Sequence, residues 1–252
     1  LTFSLLLFSG LIGSQMMGRI SSRSFANAPK LSLAFSAAFT TGSLVFLIGI
    51  FMISQMYAAE AAFARAAHLD RGDGQLQEIV DELDRAAVLN RFNDTYYRNL
   101  SEALLLRVAE QLNGVSGVDA LTPESQQYIQ SFIAATVNAS VHATDLSPYN
   151  VQNWLVRGAV YRELAPIQHS VVPFALEAYA RAVELESLNP AYWTEYGLAY
   201  LIAAQAAQPL AVATDQEIAS KAQADVQVYL SNAESVFARA IELKPDYSKA
   251  HF

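Results

Sequence analysis

Beyond residue 90 the chain repeats one spacing of aromatic and small residues. Residues 150–161 ("NVQNWLVRGAVY") and 189–200 ("NPAYWTEYGLAY") each place a tryptophan four residues before a glycine and seven before a tyrosine. A looser copy with Tyr, Ser and Leu lies at 93–104 ("NDTYYRNLSEAL"). Spacings of four and three residues return to one face of an α-helix. The pattern therefore predicts helices that pack through the same face in each repeat.

A second helical pattern follows each of the two tryptophan repeats. The stretches "ALEAYARAVELESLNP" and "AESVFARAIELKPDY" share alanines and one aromatic residue at relative positions i, i+4 and i+7. The matched positions are Ala175 and Ala233, Tyr179 and Phe237, and Ala182 and Ala240. Because small residues let a neighbouring helix come close, we expect each repeat to be a hairpin of two packed helices.

Together these patterns resemble the tetratricopeptide repeat (TPR), whose order of Trp, Leu, Gly, Tyr, Ala, Phe, Ala and Pro the chain follows over residues 60–252. Three positions depart from it. Arg157 and Tyr196 replace the usual Leu, and Ser187 stands where Pro245 stands in the later repeat. The resemblance implies an all-α solenoid of about four helical hairpins, which in this family binds peptides along a groove lined by the first helices.

The four predicted repeats alternate between short and long, with 34, 57, 39 and 58 residues. They cover 60–93, 94–150, 151–189 and 190–247. Shared between two antiparallel helices, the excess predicts protruding hairpins with long helices near 122–146 and 214–244. Asn189 has the character of an N-cap, and Thr214 with Glu217 has the spacing of a capping box.

A long apolar stretch precedes the repeats. Residues 31–57 contain no charged side chain and would form a helix of about 40 Å, longer than the hydrocarbon core of a bilayer at about 30 Å. We therefore predict a transmembrane helix here. Since residues 55–70 contain neither Gly nor Pro, this helix is expected to continue into the first repeat.

Residues 1–18 are a second candidate span, near the lower length limit for crossing a bilayer. The alternative is a signal peptide, because Ala26 and Ala28 are arranged as in a cleavage site. The basic residues follow the apolar run, however, and do not precede it as in a signal peptide. The fold class predicted is thus two N-terminal transmembrane helices followed by the TPR-like solenoid.

The distribution of charge predicts a membrane topology. The loop 19–30 carries three basic residues, and all 24 acidic residues lie beyond residue 57. The positive-inside rule then places the loop in the cytoplasm and the solenoid, residues 58–252, on the other side of the membrane, where it is periplasmic or extracellular. The acidic excess of the solenoid argues against a nucleic-acid partner.

The last residues read as the beginning of another repeat. Pro245 closes the fourth repeat, and the sequence from 248 onward places His251 at the aromatic position of a fifth. Solenoids usually end in a polar capping helix. We therefore expect this sequence to be part of a longer protein.

Sequence motifs for catalysis are lacking. The chain has no cysteine, its four histidines lack the spacing of metal ligands, and no nucleotide-binding or hydrolase motif occurs. We therefore nominate no catalytic, cofactor or metal-binding residue.

The remaining candidate is a peptide-binding groove. Matching the sequence to the groove positions of the TPR family gives a mixed polar and apolar lining, suited to an extended peptide with charged ends. The matched residues are Arg98, Glu102, Gln152, Leu155, Arg162, Glu163, Leu198 and Leu201. The alternative is that the charges are solvated and the leucines pack against neighbouring helices.

These features favour a membrane-anchored scaffold for protein or peptide partners. The order of late membrane spans and repeats is also similar to the C-terminal region of bacterial O-antigen ligase or polymerase-like proteins. That resemblance implies a glycan-transferring parent whose catalytic part lies upstream, with no active-site residue in this segment. A third hypothesis is a secretion or pilus assembly factor. Partner identity and oligomeric state are not encoded in any motif of the chain.

Overall fold

The computed structural model describes residues 29–71, 75–113, 122–212 and 214–250, and all regular structure in these ranges is helical. The chain divides into two compact units, Leu1–Ile53 and Ser54–Phe252. The candidate span 1–18, the signal-peptide alternative and the basic loop up to residue 28 lie outside the described residues.

The described ranges contain eight α-helices and two short 3-10 turns. The helices are α1 Pro29–Asp70, α2 Leu76–Leu89, α3 Asp94–Leu112, α4 Pro123–Leu146, α5 Val151–Leu164, α6 Val172–Leu185, α7 Pro190–Ala211 and α8 Gln216–Leu243. The 3-10 turns are His169–Val171 and Ser248–Ala250.

Helix α1 changes character along its length. Every large apolar side chain from Leu31 to Tyr57 is exposed, and α1 is the one described helix long and apolar enough to cross a membrane. In the second unit the helix instead buries small residues, namely Ala59, Ala62 and Ala66. The prediction of one unbroken helix through this region is confirmed.

The second unit is built of consecutive helical hairpins. Helix α3 pairs with α4, α5 with α6, and α7 with α8, and each second helix also packs against the first helix of the next hairpin. The first hairpin joins the end of α1 to α2, as shown by the ion pair between Arg65 and Glu82 at 2.8 Å. This is the TPR-like arrangement that the repeated sequence pattern predicts.

The hairpins alternate in length as predicted. Helices α4 and α8 have 24 and 28 residues, whereas α2, α5 and α6 have 14 residues each. The prediction of an N-cap at Asn189 is confirmed, since its side chain accepts a hydrogen bond from the Ala191 amide. The predicted capping box at Thr214 is wrong: Asp215 caps α8, because its carboxylate accepts from the amides of Glu217 and Ile218.

The repeated glycines mark where two helices touch. A Cβ atom placed on Gly158 would lie 2.9 Å from ring atoms of Tyr179, and one on Gly197 would lie 2.7 Å from ring atoms of Phe237. In both hairpins, therefore, an aromatic ring of the second helix rests directly on the backbone of the first. The prediction that each repeat is a hairpin of two closely packed helices is confirmed.

The tryptophans close the turns that precede their helices. The indole nitrogen of Trp154 donates to the carbonyl oxygen of Pro148, and that of Trp193 donates to the carbonyl oxygen of Ser187, both at 2.8 Å. The same bond forms with Pro in one repeat and Ser in the next because it uses the backbone oxygen. The departure from the TPR pattern at Ser187 therefore leaves this contact intact.

Replacing Gly197 by Ala is expected to destabilise the second unit by about 1–2 kcal/mol. Overpacking against Phe237 costs about 1–3 kcal/mol, and the better helix propensity of Ala offsets up to about 1 kcal/mol. Denaturant unfolding followed by circular dichroism measures the change. Gly49→Ala is the control, since a Cβ placed on Gly49 meets no packed neighbour within 4 Å. A Gly197→Ala variant as stable as the parent would contradict the tight contact.

Candidate functional site

The first helices of successive hairpins form a continuous inner face in the second unit. Helix α3 packs against α5, and α5 packs against α7. Among the described residues, no comparably extensive packing joins α4 to α6 or α6 to α8. The first helices are therefore closer together than the second helices, which places them on the inner side of the stack.

Polar contacts connect the first helices in sequence. The Arg98 guanidinium on α3 donates to the Asn153 side-chain oxygen on α5 at 3.0 Å. On the next pair of helices, the Gln152 amide donates to the Tyr192 hydroxyl at 3.0 Å. Three of the eight predicted groove residues thus connect neighbouring helices, the third being Arg162.

Arg162 is held by several groups at once. Its guanidinium lies 2.6 Å from a carboxylate oxygen of Glu195 on α7 and 3.2 Å from Glu163, and its Cζ lies 5.7 Å from the centre of the Tyr179 ring. Burial opposes the charged form, but the neighbouring phenol oxygen of Tyr179 and the two carboxylates outweigh it and raise the pKa of Arg162. Its charge is therefore largely satisfied by the helices themselves.

Arg98 belongs to a buried polar cluster. The Asn153 side chain is fully buried and donates to Asp94 at 2.8 Å and to the Ala143 carbonyl at 2.9 Å. Asn150 also donates to Asp94 at 2.8 Å, and Arg98 lies 4.0 Å from the same carboxylate. The cluster joins the beginnings of α3 and α5 to the end of α4.

The cluster keeps Asp94 ionised. Burial by itself would raise the pKa of Asp94, but the hydrogen bonds from Asn153 and Asn150 and the charge of Arg98 outweigh it and lower the pKa. Ionised Asp94 is therefore an acceptor that holds two first helices together.

Glu102 lies beside a cavity of about 560 Å³ between α1, α2 and α3. The walls include apolar Phe63, Leu83 and Leu106. Residue Glu102 is exposed overall, yet the surrounding helices desolvate its carboxylate and raise its pKa, an effect that Arg98 partly offsets. A carboxylate that is partly desolvated in the free protein is stabilised when a positively charged group binds beside it.

The other predicted groove residues retain accessible surface. Glu163 is exposed at the end of α5, and the leucines are partly exposed. The leucines are Leu155, Leu198 and Leu201. Of the predicted groove residues, the carboxylates Glu102 and Glu163 and the three leucines therefore keep accessible surface. Arg98 and Arg162 are largely engaged with neighbouring helices.

Sequence reasoning missed the partners Asp94, Asn153 and Glu195. Asp94 gave no signal, because an acidic residue in the first turn of a helix is common. The missed role of Arg157 has a clearer signal, since it replaces the usual Leu. Its guanidinium donates to Thr144 at 2.9 Å and lies 5.3 Å from the Trp154 ring.

Groups that could hold a metal ion do not occur in the described part of the chain: no three His, Asp or Glu side chains come together there. Within the inner face, polar contacts fix neighbouring helices to one another.

No family model and no curated protein matches the sequence. Among solved structures, the chain is similar to a thermophilic TPR protein of Thermus thermophilus, with 14% identity, 77% of this chain and 95% of that chain covered, and a TM-score of 0.42. It is similar to YrrB, described as a TPR protein with an unusual peptide-binding site, with 14% identity, coverages of 75% and 88%, and a TM-score of 0.32. It is also similar to the MamA protein, with 12% identity, coverages of 81% and 97%, and a TM-score of 0.33.

Proposed function

We propose that the chain is a membrane-anchored scaffold that binds an extended segment of a partner protein along the inner face of its helical hairpins. The observation that carries the proposal is the change within α1 at Ala59, where an exposed apolar helix becomes a helix packed into a hairpin array. One continuous helix thus forms the membrane anchor and also begins the hairpin array that binds the partner.

The anchor is residues 31–57. Exposing this many large apolar side chains to water would be strongly unfavourable, whereas a bilayer core accommodates them. With the basic loop 19–30 in the cytoplasm, the hairpins lie on the outer side of the inner membrane. In a Val212→Cys variant of the otherwise cysteine-free chain, a membrane-impermeant maleimide would label intact spheroplasts if this topology holds.

The ligand is an extended peptide that carries apolar side chains and at least one basic residue. The partly exposed leucines, Leu155, Leu198 and Leu201, supply apolar contacts, and the carboxylates of Glu102 and Glu163 supply negative charge at separate positions. Because the helices are fixed by the Asp94 cluster and by Arg162, the surface is pre-organised, which lowers the entropic cost of binding.

Site-specific photo-crosslinking of the full chain in its native membrane tests the binding surface. A crosslinker at Leu198 or Leu201 is expected to give one discrete adduct, and a crosslinker at the exposed positions Glu177 and Glu234 on second helices is expected to give none. The double variant Glu102→Gln, Glu163→Gln should reduce the adduct about tenfold, because a charge-assisted hydrogen bond contributes about 1.5–3 kcal/mol. Equal adducts from both faces would contradict the proposal.

A second proposal concerns the parent protein. The order of apolar span and repeats supports a C-terminal accessory region of an O-antigen ligase or polymerase-like glycan transferase, and a secretion or pilus assembly factor is the remaining alternative. The coding sequence upstream of Leu1 distinguishes them. Several further apolar spans with a large basic loop between them would favour the glycan enzyme, and a start codon directly upstream would exclude it.

A further inference from the structure

Three consecutive turns between hairpins each expose one large apolar side chain. The exposed fractions are 74% for Phe92, 81% for Tyr149 and 77% for Leu188. Each residue directly precedes the asparagine that caps the next first helix. An apolar residue therefore recurs at the same structural position in three successive repeats.

Local packing does not account for these side chains. An apolar residue before an N-cap commonly packs against the fourth residue of the helix, which here is Tyr97, Trp154 or Trp193. With about three quarters of each side chain in contact with solvent, that packing is largely unused. The three residues are accessible to a further partner.

The three turns lie along one edge of the second unit. The beginnings of α3 and α5 are joined by the hydrogen bond from Asn150 to Asp94, and those of α5 and α7 by the bond from Gln152 to Tyr192. The residue before each helix must therefore lie at the same end of the stack.

The first residues of the second unit, 54–58 of helix α1, lie at this same edge. The Tyr96 hydroxyl, in the first turn of α3, donates to Glu60 at 2.6 Å, and the rings of Tyr96 and Phe63 are 5.2 Å apart. Since α3 begins at Asp94, the residues that precede Ala59 lie level with the edge or beyond it. Met56 and Tyr57 are exposed there and are the last large side chains of the apolar stretch 31–57.

We propose that Phe92, Tyr149 and Leu188 insert into the interfacial layer of the bilayer that residues 31–57 cross, and so hold the edge of the hairpin stack against the lipid surface. The inference rests on the proposed membrane anchor. Aromatic and large aliphatic side chains favour this layer, in which an apolar body and a polar tip are both accommodated. Lipid is the occupant because the edge includes the end of the apolar stretch, at Met56 and Tyr57.

Single-cysteine labelling of the full chain in phosphatidylcholine vesicles tests the proposal. The protein has no native cysteine, so an environment-sensitive fluorophore can be attached at Phe92→Cys, Tyr149→Cys or Leu188→Cys alone. Val212→Cys is the matched control, because Val212 is also apolar and 83% exposed but follows α7 at the other end of its hairpin. Leu47→Cys reports on the anchor itself.

We expect blue-shifted emission and quenching by brominated lipid at positions 92, 149 and 188, and quenching by aqueous iodide at 212. Iodide quenching at all four positions, with lipid quenching at 47, would overturn the edge contact and leave the anchor intact. Iodide quenching at 47 as well would overturn the anchor. Protection from both quenchers at 92, 149 and 188 would show a protein partner or second copy on the edge and would also overturn the lipid assignment.

Discussion

Replacing Tyr179 by Ala is expected to lower the free energy of unfolding of the hairpin array by about 3–5 kcal/mol. The ring is 1% exposed and lies against Gly158, which has no side chain to fill the space that Ala would leave. The loss also removes the ring beneath Arg162. Urea unfolding of the detergent-solubilised chain, followed by circular dichroism, measures the effect.

Two control variants separate the ring from its hydroxyl and from tyrosine in general. Tyr149→Ala removes a side chain that is 81% exposed in water and should change the free energy in detergent by less than about 0.5 kcal/mol. The Tyr179 hydroxyl is buried without a hydrogen-bond partner among the described residues, so Tyr179→Phe should stabilise the array by about 1 kcal/mol. Equal losses for Tyr179→Ala and Tyr149→Ala would contradict the packing described.

Replacing Asn153 by Ala is expected to destabilise the array by about 2–4 kcal/mol at neutral pH. The buried Asn153 side chain donates hydrogen bonds to Asp94 and to the Ala143 carbonyl and accepts one from Arg98. Its removal leaves the ionised Asp94 carboxylate without one of its donors. Asn138→Ala on α4 is the matched control, because Asn138 is exposed, and it should change stability by less than about 0.5 kcal/mol.

The pH dependence of the Asn153→Ala effect distinguishes the charge from a simple cavity. The lowered pKa of Asp94 contributes stability that is present above its unfolded pKa, about 3.9, and is lost as pH falls through the lower folded pKa. In the variant the pKa of Asp94 returns toward its ordinary value, so less of the stability depends on the ionisation of Asp94. The destabilisation should therefore shrink when unfolding is measured below pH 4, and an unchanged value would indicate a cavity alone.

The sequence predicted the parts of the fold that depend on repetition. The packing of two helices into each hairpin followed from the recurrence of the small and aromatic positions. The contacts of the Tyr179 ring with Gly158 and of the Phe237 ring with Gly197 were seen only in the structure. The long helices α4 and α8 followed from repeat length. In both cases the pattern occurs twice in the chain, so the structure inferred from one copy could be checked against the other copy.

Side-chain pairings across helices could not be predicted in the same way. Arg98 and Arg162 were matched to groove positions, but the identity of their partners depends on which residues of the next helix face them, and Asn153 and Glu195 lie at different depths along their helices. The N-cap of α8 was misassigned by one residue because Thr214 and Asp215 are both good caps. Whether the inner face binds a peptide remains a prediction.

The unequal hairpin lengths have a consequence for how such an array can change. Helices α7 and α8 extend beyond the 14-residue helices of the preceding hairpin, so their distal turns pack chiefly on each other, with Ala207 and Ala222 buried there. Residues can be gained or lost at that tip without disturbing the contacts that stack one repeat on the next. The length of this hairpin can therefore vary among related proteins while the packing between repeats is kept.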